Sequence, residues 1–298
     1  MPQIQREYKD RLFTFIFGRA ENKEWILSLY NAINRSNYTD PEAIQITTLK
    51  DVIYLGMHND VSFMIADEMH IYEQQSSFNP NMPIRCLLYA AKLFEQYLAP
   101  IRHKLYWKTR LNLPAPKCVV LYNGVAEQPN ETTLKLSDAF ANDVKGDIEV
   151  CVRIININAG RNQAILNACQ PLYEYAWTIA RIREHCQNMS IEDAVDQTIE
   201  EMPKCYLLKS QLINHKAEVK GMILTEYNEE EVLKSIKEEG KIEGKIEGKI
   251  EGKTEGKIEG FVEALNGLVK DNILTITEAA KRANLSEEAF LGYCQNLA

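Results

Sequence analysis

The chain has 298 residues, 45% of them apolar and 26% charged, which supplies enough burial for a substantial core and excludes disorder throughout. Its formal charge of -8 excludes a protein that coats nucleic acid by bulk charge. No apolar run approaches the roughly 20 residues of a bilayer span, and the start MPQIQREYKD lacks the apolar stretch of a secretion signal, so a cytoplasmic protein with no membrane partner is expected.

The first predicted elements are a short helix with Leu12, Phe13, Ile16 and Phe17 on one side, and, after Gly18, a second from about Asn22 to Ile33 with Trp25, Ile26, Leu29 and Ile33 inward. Three segments of strand character follow at 52–57, 60–66 and 69–76, with a turn offered at Asp67-Glu68 between the last two. From Pro83 to Leu98 a helix is predicted, with Leu87, Leu88, Ala91, Phe94, Glu95 and Leu98 spaced by three and four and Pro83 suited to the first turn. Strands are predicted again at 118–124, ended by Asn-Gly, and at 148–157. Strand groups separated by helices indicate an α/β or α+β core.

A long helix is predicted from about Asn162 to Glu184, and another from Ser190, a capping residue, to about Lys204. From Gly240 to Gly260 the chain repeats a KIEG tetrapeptide with Gly at every fourth position. In a helix its isoleucines would drift by 40° per repeat, and each Gly costs about 1 kcal/mol relative to Ala. The repeat reads as a partner-stabilised helix or as a flexible spacer. The last segment, 261–298, holds short helical patterns in which Thr277 can act as a cap, and suits either a helix-turn-helix-like unit or a docking tail. The expected division is a core over 1–160, a helical region over 161–239, the repeat over 240–260 and a small helical tail over 261–298.

Seven scattered cysteines contain no CxxC pair, and five histidines form no ligand motif. Charge is unevenly placed: residues 1–120 hold 14 Lys or Arg against 12 Asp or Glu, which leaves 20 against 30 beyond them. Between Gln96 and Ala126 no acidic residue occurs, while Arg102, Lys104, Lys108, Arg110 and Lys117 do. That stretch is the candidate phosphate-contacting surface, since phosphate neutralisation supplies most non-specific DNA affinity; a solvated helix end and loop is the other reading.

Candidate chemistry concentrates in NDVSFMIADEMHIYEQQS, residues 59–76. A hairpin returns the second strand toward the first, so Asp60 and Glu73 can meet, and period-two alternation places Glu73 and Gln75 on one face. Two carboxylates at one edge make an oxygen-rich site for magnesium. Acidic residues near turns are commonplace, however, and on the residue pattern alone a structural or solvated role accounts for the pair.

At these residues the sequence resembles the PD-(D/E)xK nuclease family transposases, the recombination-promoting nuclease group. The resemblance runs through DRLFTFIFG, DVIYLGMHNDVSFMI, YEQQSSFNPNMPIRCLLYAAKLFEQYL, KCVVLYNG, ININAGRNQAILNACQPLYEYAWTIARIRE and EVKGMILTEYNEEEV, about residues 10 to 239. It implies a restriction-endonuclease-like core, a mixed central sheet flanked by helices and followed by a helical C-terminal region. It also implies a DNA endonuclease using Mg2+, or Mn2+, with Asp60 and Glu73 as catalytic metal ligands. Gln75 stands where the general motif has lysine, and Asn59 where it has proline. Glu24 and Arg85 are accessory candidates, Glu24 as a helix-borne acid and Arg85 as a group that reaches phosphate or ties Glu73 in place. Two alternatives stand beside the endonuclease: a nuclease-derived DNA-binding module without cleavage, motivated by Gln75, and a regulatory or assembly protein acting through its C-terminal helices. A homodimer is the expected assembly, because cutting both strands needs two centres or repeated nicking.

Overall fold

The computed structural model describes residues 11–48, 59–141, 144, 146–225, 260–271 and 273–296. The strand expected at 52–57 and the KIEG repeat up to residue 259 lie outside the described residues. The chain divides into two compact units, Met1–Glu230 and Glu231–Ala298.

The first unit is a mixed six-stranded sheet flanked by helices. Its strands are β1 (Gln45–Ile46), β2 (Val61–Ile65), β3 (Glu68–Gln75), β4 (Ala115–Tyr122), β5 (Glu131–Lys135) and β6 (Cys151–Asn156), in the spatial order β1-β2-β3-β4-β6-β5. β1, β2 and β3 run antiparallel, β3, β4 and β6 run parallel, and β5 closes the far edge antiparallel to β6. β3 is buried along nearly its whole length, as a strand with helices on both faces must be.

The β2–β3 hairpin turns at Ala66-Asp67, one residue earlier than the Asp67-Glu68 expected from sequence, with Ile65 opposite Glu68. Both turn residues have positive φ, 50° and 60°, as a two-residue turn needs if its twist is to match the strands. Asp tolerates this conformation; Ala at position 66 carries the steric cost of its Cβ.

One face of the sheet carries α1 (Leu12–Phe17), α2 (Lys23–Asn34), α4 (Gln163–Ala168) and α5 (Gln170–His185). Leu12, Phe13, Ile16, Phe17, Ile26, Leu29 and Ile33 are buried there together with Phe63, Tyr72, Leu172 and Tyr175. The single helix expected over 162–184 is two helices: Cys169 is extended, with φ -132° and ψ 95°, and Pro171 opens α5. Proline has no N–H to donate, and its ring clashes with the carbonyl four residues back, so a continuous helix cannot pass through it. α6 (Ile191–Glu201), capped by Ser190, and α7 (Leu207–Asn214) complete this layer, and residues 216–225 are helical. Glu174, fully buried on α5, accepts the N–H groups of Leu207 and Leu208 at 3.0 and 2.8 Å and so caps α7 from a neighbouring helix.

The other face carries α3 (Met82–Leu98). The helix lies where its periodicity predicts, but its buried stripe is Met82, Cys86, Tyr89, Ala90 and Leu93, while Ala91 is exposed and Leu88 is 37% exposed. The sequence carries apolar residues on two stripes, and spacing alone cannot choose between them. A run of 3₁₀ helix, Ala99–Tyr106, extends from its end. Sequence pattern also omits β5, a polar edge strand whose residues alternate between exposed and half-buried.

The second unit holds a helix over 260–270, α8 (Ile276–Ala283) and α9 (Glu287–Asn296), packed around Val262, Leu265, Ala279, Ala280 and Phe290. The cap of α8 is Thr275, not Thr277: its hydroxyl accepts the Glu278 N–H at 3.2 Å. Thr275 stands three residues before Glu278, the spacing that marks a helix start. Among the described residues no helix is long and apolar enough to cross a membrane.

Replacing Ala66 with Gly, which has no Cβ to clash at positive φ, is expected to raise unfolding stability by roughly 0.5–1 kcal/mol in chemical denaturation, the Cβ cost of about 1–2 kcal/mol being partly offset by the greater chain entropy of Gly.

Candidate functional site

The hairpin register builds the site. Val61 pairs with Tyr72, so Asp60, one residue before β2, stands opposite Glu73 on the face covered by α3. The two acids are locked reciprocally. The Asp60 N–H donates to Glu73 Oε1 at 3.0 Å, and the Gln74 N–H donates to Asp60 Oδ2 at 2.7 Å. Glu73 is buried and Asp60 half-buried.

Arg85, on the first turn of α3, donates from Nη2 to Glu73 Oε2 at 3.2 Å and to Tyr89 Oη, one helical turn on, at 2.9 Å. Arg11, immediately before α1, reaches the Gln74 carbonyl at 3.5 Å, and its charge acts on both acids. Sequence reasoning missed Arg11. It is distant in the chain, and no local pattern marks it.

Burial, and then the neighbouring Asp60, push the Glu73 carboxyl well above the ordinary glutamate range, while Arg85, the Asp60 N–H and Arg11 pull it down without cancelling the rise. Burial likewise raises Asp60, against Arg11, the Gln74 N–H and Arg85. Burial works against the charge of Arg85 too, but Tyr89, Glu73 and Asp60 outweigh it and hold the guanidinium as a cation. Such a carboxylate pair lowers its free energy by taking up a proton or a cation.

Consecutive residues of β3 face opposite ways. Gln75 shares the Glu73 face, and its Nε2 lies 2.7 Å from the sulfur of Met82, a weak acceptor. Gln74 points to the other face and donates to Asn123 Oδ1 at 2.7 Å; Asn123 in turn donates to Tyr175 Oη on α5 at 3.3 Å, and its carbonyl accepts from Arg183. Gly124 follows because the chain passes hard against the end of β3. A Cβ there would lie 1.9 Å from the Ser76 carbonyl oxygen.

Glu24 lies exposed in the first turn of α2, and the structure gives it no hydrogen bond or ion pair with Asp60 or Glu73. Of the five candidate DNA-contacting cations, Arg102, Lys104, Lys108 and Arg110 lie on or just after the 3₁₀ run beyond α3, whereas Lys117 on β4 sits 3.6 Å from Glu68. The first four do not adjoin the acid pair, because α3, 17 residues and about 25 Å long, separates its Arg85 end from the 3₁₀ run; Lys117 pairs with His70, three residues along β3 from Glu73.

Among the described residues no group of three or more His, Cys, Asp and Glu gathers to hold a metal. The donors that Asp60 and Glu73 offer are nevertheless hard oxygens with excess negative charge. They suit Mg2+, which takes one or two carboxylates and fills its remaining positions with water and substrate oxygens. Comparison with protein-family models, curated proteins and solved structures returns no match.

The raised Glu73 carboxyl fixes the sign of one pH effect. Folded protein retains this proton at pH values where the unfolded chain, with a glutamate of about 4.3, has lost it, so the contribution of Glu73 to stability falls as pH rises from there to its folded value. Glu73→Gln has no such group. Relative to that variant, the parent protein is expected to lose thermal stability as pH rises above the ordinary glutamate range of about 4.3, measured by melting across a pH series without divalent ions.

Proposed function

We propose that the chain is a divalent-metal-dependent DNA endonuclease that hydrolyses phosphodiester bonds, of the PD-(D/E)xK transposase-like, recombination-promoting kind, on a restriction-endonuclease-like core. The observation that carries this reading is the reciprocal N–H to carboxylate lock that holds Asp60 and Glu73 side by side, withdrawn from water and facing two arginines. Acids placed together at such cost are characteristic of working sites. An antiparallel hairpin leading into parallel strands, with helices on both faces, supports the finer fold assignment.

Asp60 and Glu73 would hold Mg2+ or Mn2+, and the bound ion would supply a water of lowered pKa and positive charge opposite the phosphate oxygens. Deprotonation of the attacking water would fall to the ion, to Glu73 once its own proton is displaced, or to the neighbouring phosphate. Arg85 is the answer to the missing lysine. Its guanidinium already stands at Glu73, remains charged, and is suited to the charge that grows on phosphate oxygens during displacement. Gln75 contributes a neutral amide for orienting water or phosphate once it leaves Met82. A symmetric dimer is the assembly that would bring two such centres to a duplex.

A second reading, a DNA-binding module that does not cleave, is favoured by one observation: Arg85 and Met82 already engage Glu73 and Gln75.

Purified protein is expected to nick supercoiled plasmid with Mg2+ or Mn2+ and to be silent in EDTA. Asp60→Asn and Glu73→Gln should each abolish nicking while leaving the circular dichroism spectrum intact. Arg85→Ala should lower the rate by about 100- to 1000-fold, the usual loss on deleting one charge-stabilising donor, with Arg85→Lys retaining more. Nicking that survives both acid substitutions contradicts the site assignment; DNA binding without cleavage under every ion leaves the second reading.

A further inference from the structure

Beyond α3 the protein leaves large apolar rings in water. Tyr106 is 87% exposed and Trp107 56%, adjacent residues at the end of the 3₁₀ run, with Leu105 at 50% beside them. Isolated exposed apolar residues need no explanation, but two exposed aromatic rings on neighbouring residues, set among cations, do. The Lys104 ammonium lies 5.6 Å from the Trp107 ring centre, and the His103 ring stands edge-on to the same indole at 5.4 Å. Trp107 is therefore held by its neighbours rather than swinging freely. Arg102, Lys108 and Arg110 are exposed around it, and the sequence has no acidic residue from Gln96 to Ala126 to neutralise them.

We propose that this patch binds unpaired nucleotides of a DNA strand, with bases stacked on Tyr106 and Trp107 and phosphates held by Arg102, Lys104, Lys108 and Arg110. The choice of DNA rests on the endonuclease reading; the stacking rests on the patch itself. Charge complementarity selects a polyanion: Glu95, which acts on Arg102, is itself paired with Lys92, and the surplus of cations over carboxylates here repels basic partners and attracts phosphate. The rings select single strands. Every base presents a flat π-face for an aromatic side chain, but in a duplex those faces are already stacked on one another, whereas in an unpaired strand they are available. Aromatic rings interleaved with cations thus suit a strand end, a flap or a melted segment better than an intact duplex.

Distance adds a length requirement. From Arg85, where the acid pair meets α3, to Leu98 the helix runs 13 residues, about 20 Å, so a strand that touches both the acid pair and the patch must be several nucleotides long. The patch then acts as an anchor that holds an unpaired tail while the carboxylates meet the backbone elsewhere. This names the substrate class: DNA with a single-stranded stretch, read without regard to sequence.

The test is binding of the full chain to fluorescein-labelled 20-nucleotide oligo-dT and to a 20-base-pair duplex, followed by anisotropy in EDTA so that cleavage plays no part. The parent protein is expected to bind the single strand several-fold more tightly than the duplex. Tyr106→Ala and Trp107→Ala should each weaken oligo-dT binding about tenfold with unchanged melting temperature, because both side chains are exposed. Arg102→Ala combined with Lys104→Ala should reduce the steepness of the salt dependence, which the aromatic variants should leave alone. Equal affinity for both DNAs, or aromatic variants that bind like the parent, overturns the inference. So does a change in oligomeric mass on Trp107→Ala, which would make the patch a protein contact. Anchoring without cleavage would leave the patch assignment standing and remove the endonuclease reading; cleavage insensitive to Tyr106 and Trp107 would do the reverse.

Discussion

Two carboxyl groups held side by side, one buried and one half-buried, set the terms for the rest of this protein. Asp60 and Glu73 repel each other, and each also loses hydration; left uncompensated, that arrangement would favour opening of the hairpin. The fold answers with groups of differing reach. Backbone N–H groups from each strand bind the acid of the other, Arg85 comes across from α3, and Arg11 comes from the start of α1. The compensation is partial, since both carboxyls remain above their ordinary range. A site with residual appetite for positive charge is a stability cost in the free protein and an affinity in the loaded one.

The same economy bears on the neutral side chain at position 75. A lysine there would project onto the face where Arg85 already meets Glu73, adding a second cation beside the first. With the guanidinium supplied from the helix, the strand position is free to carry a neutral side chain that packs against Met82. The positive charge at this end of the pair comes from α3 and not from β3.

What the sequence discloses here follows from how local each feature is. The meeting of Asp60 with Glu73 is legible because a short hairpin fixes it through spacing, and alternation alone puts Gln75 on the Glu73 face. Arg11 is illegible, since its reach to Gln74 depends on where α1 docks, at a sequence separation of 63. α3 was legible as a helix but not in its rotation, because two apolar stripes compete and only the sheet decides between Tyr89 and Leu88. The break at Cys169 has a local signal in Pro171, which the strong apolar periodicity on either side obscured. Tyr106 and Trp107 look like core residues in one dimension; their exposure is a property of the finished surface.

The opposed facing of neighbours on β3 carries a constraint on how this hairpin can vary. Glu73 looks toward Arg85 while Tyr72 and Gln74 look toward the helices on the far side, so the acid pair and the hydrophobic interior are set by one phase. A single-residue insertion within either strand would invert that phase beyond the insertion, carrying an acid into the aromatic layer and a tyrosine out of it. Length changes are therefore absorbable at the exposed bend around Ala66 and Asp67, where added residues leave both strands' alternation intact. Lineages of this fold should differ in loop size at that bend far more readily than within the strands that flank it.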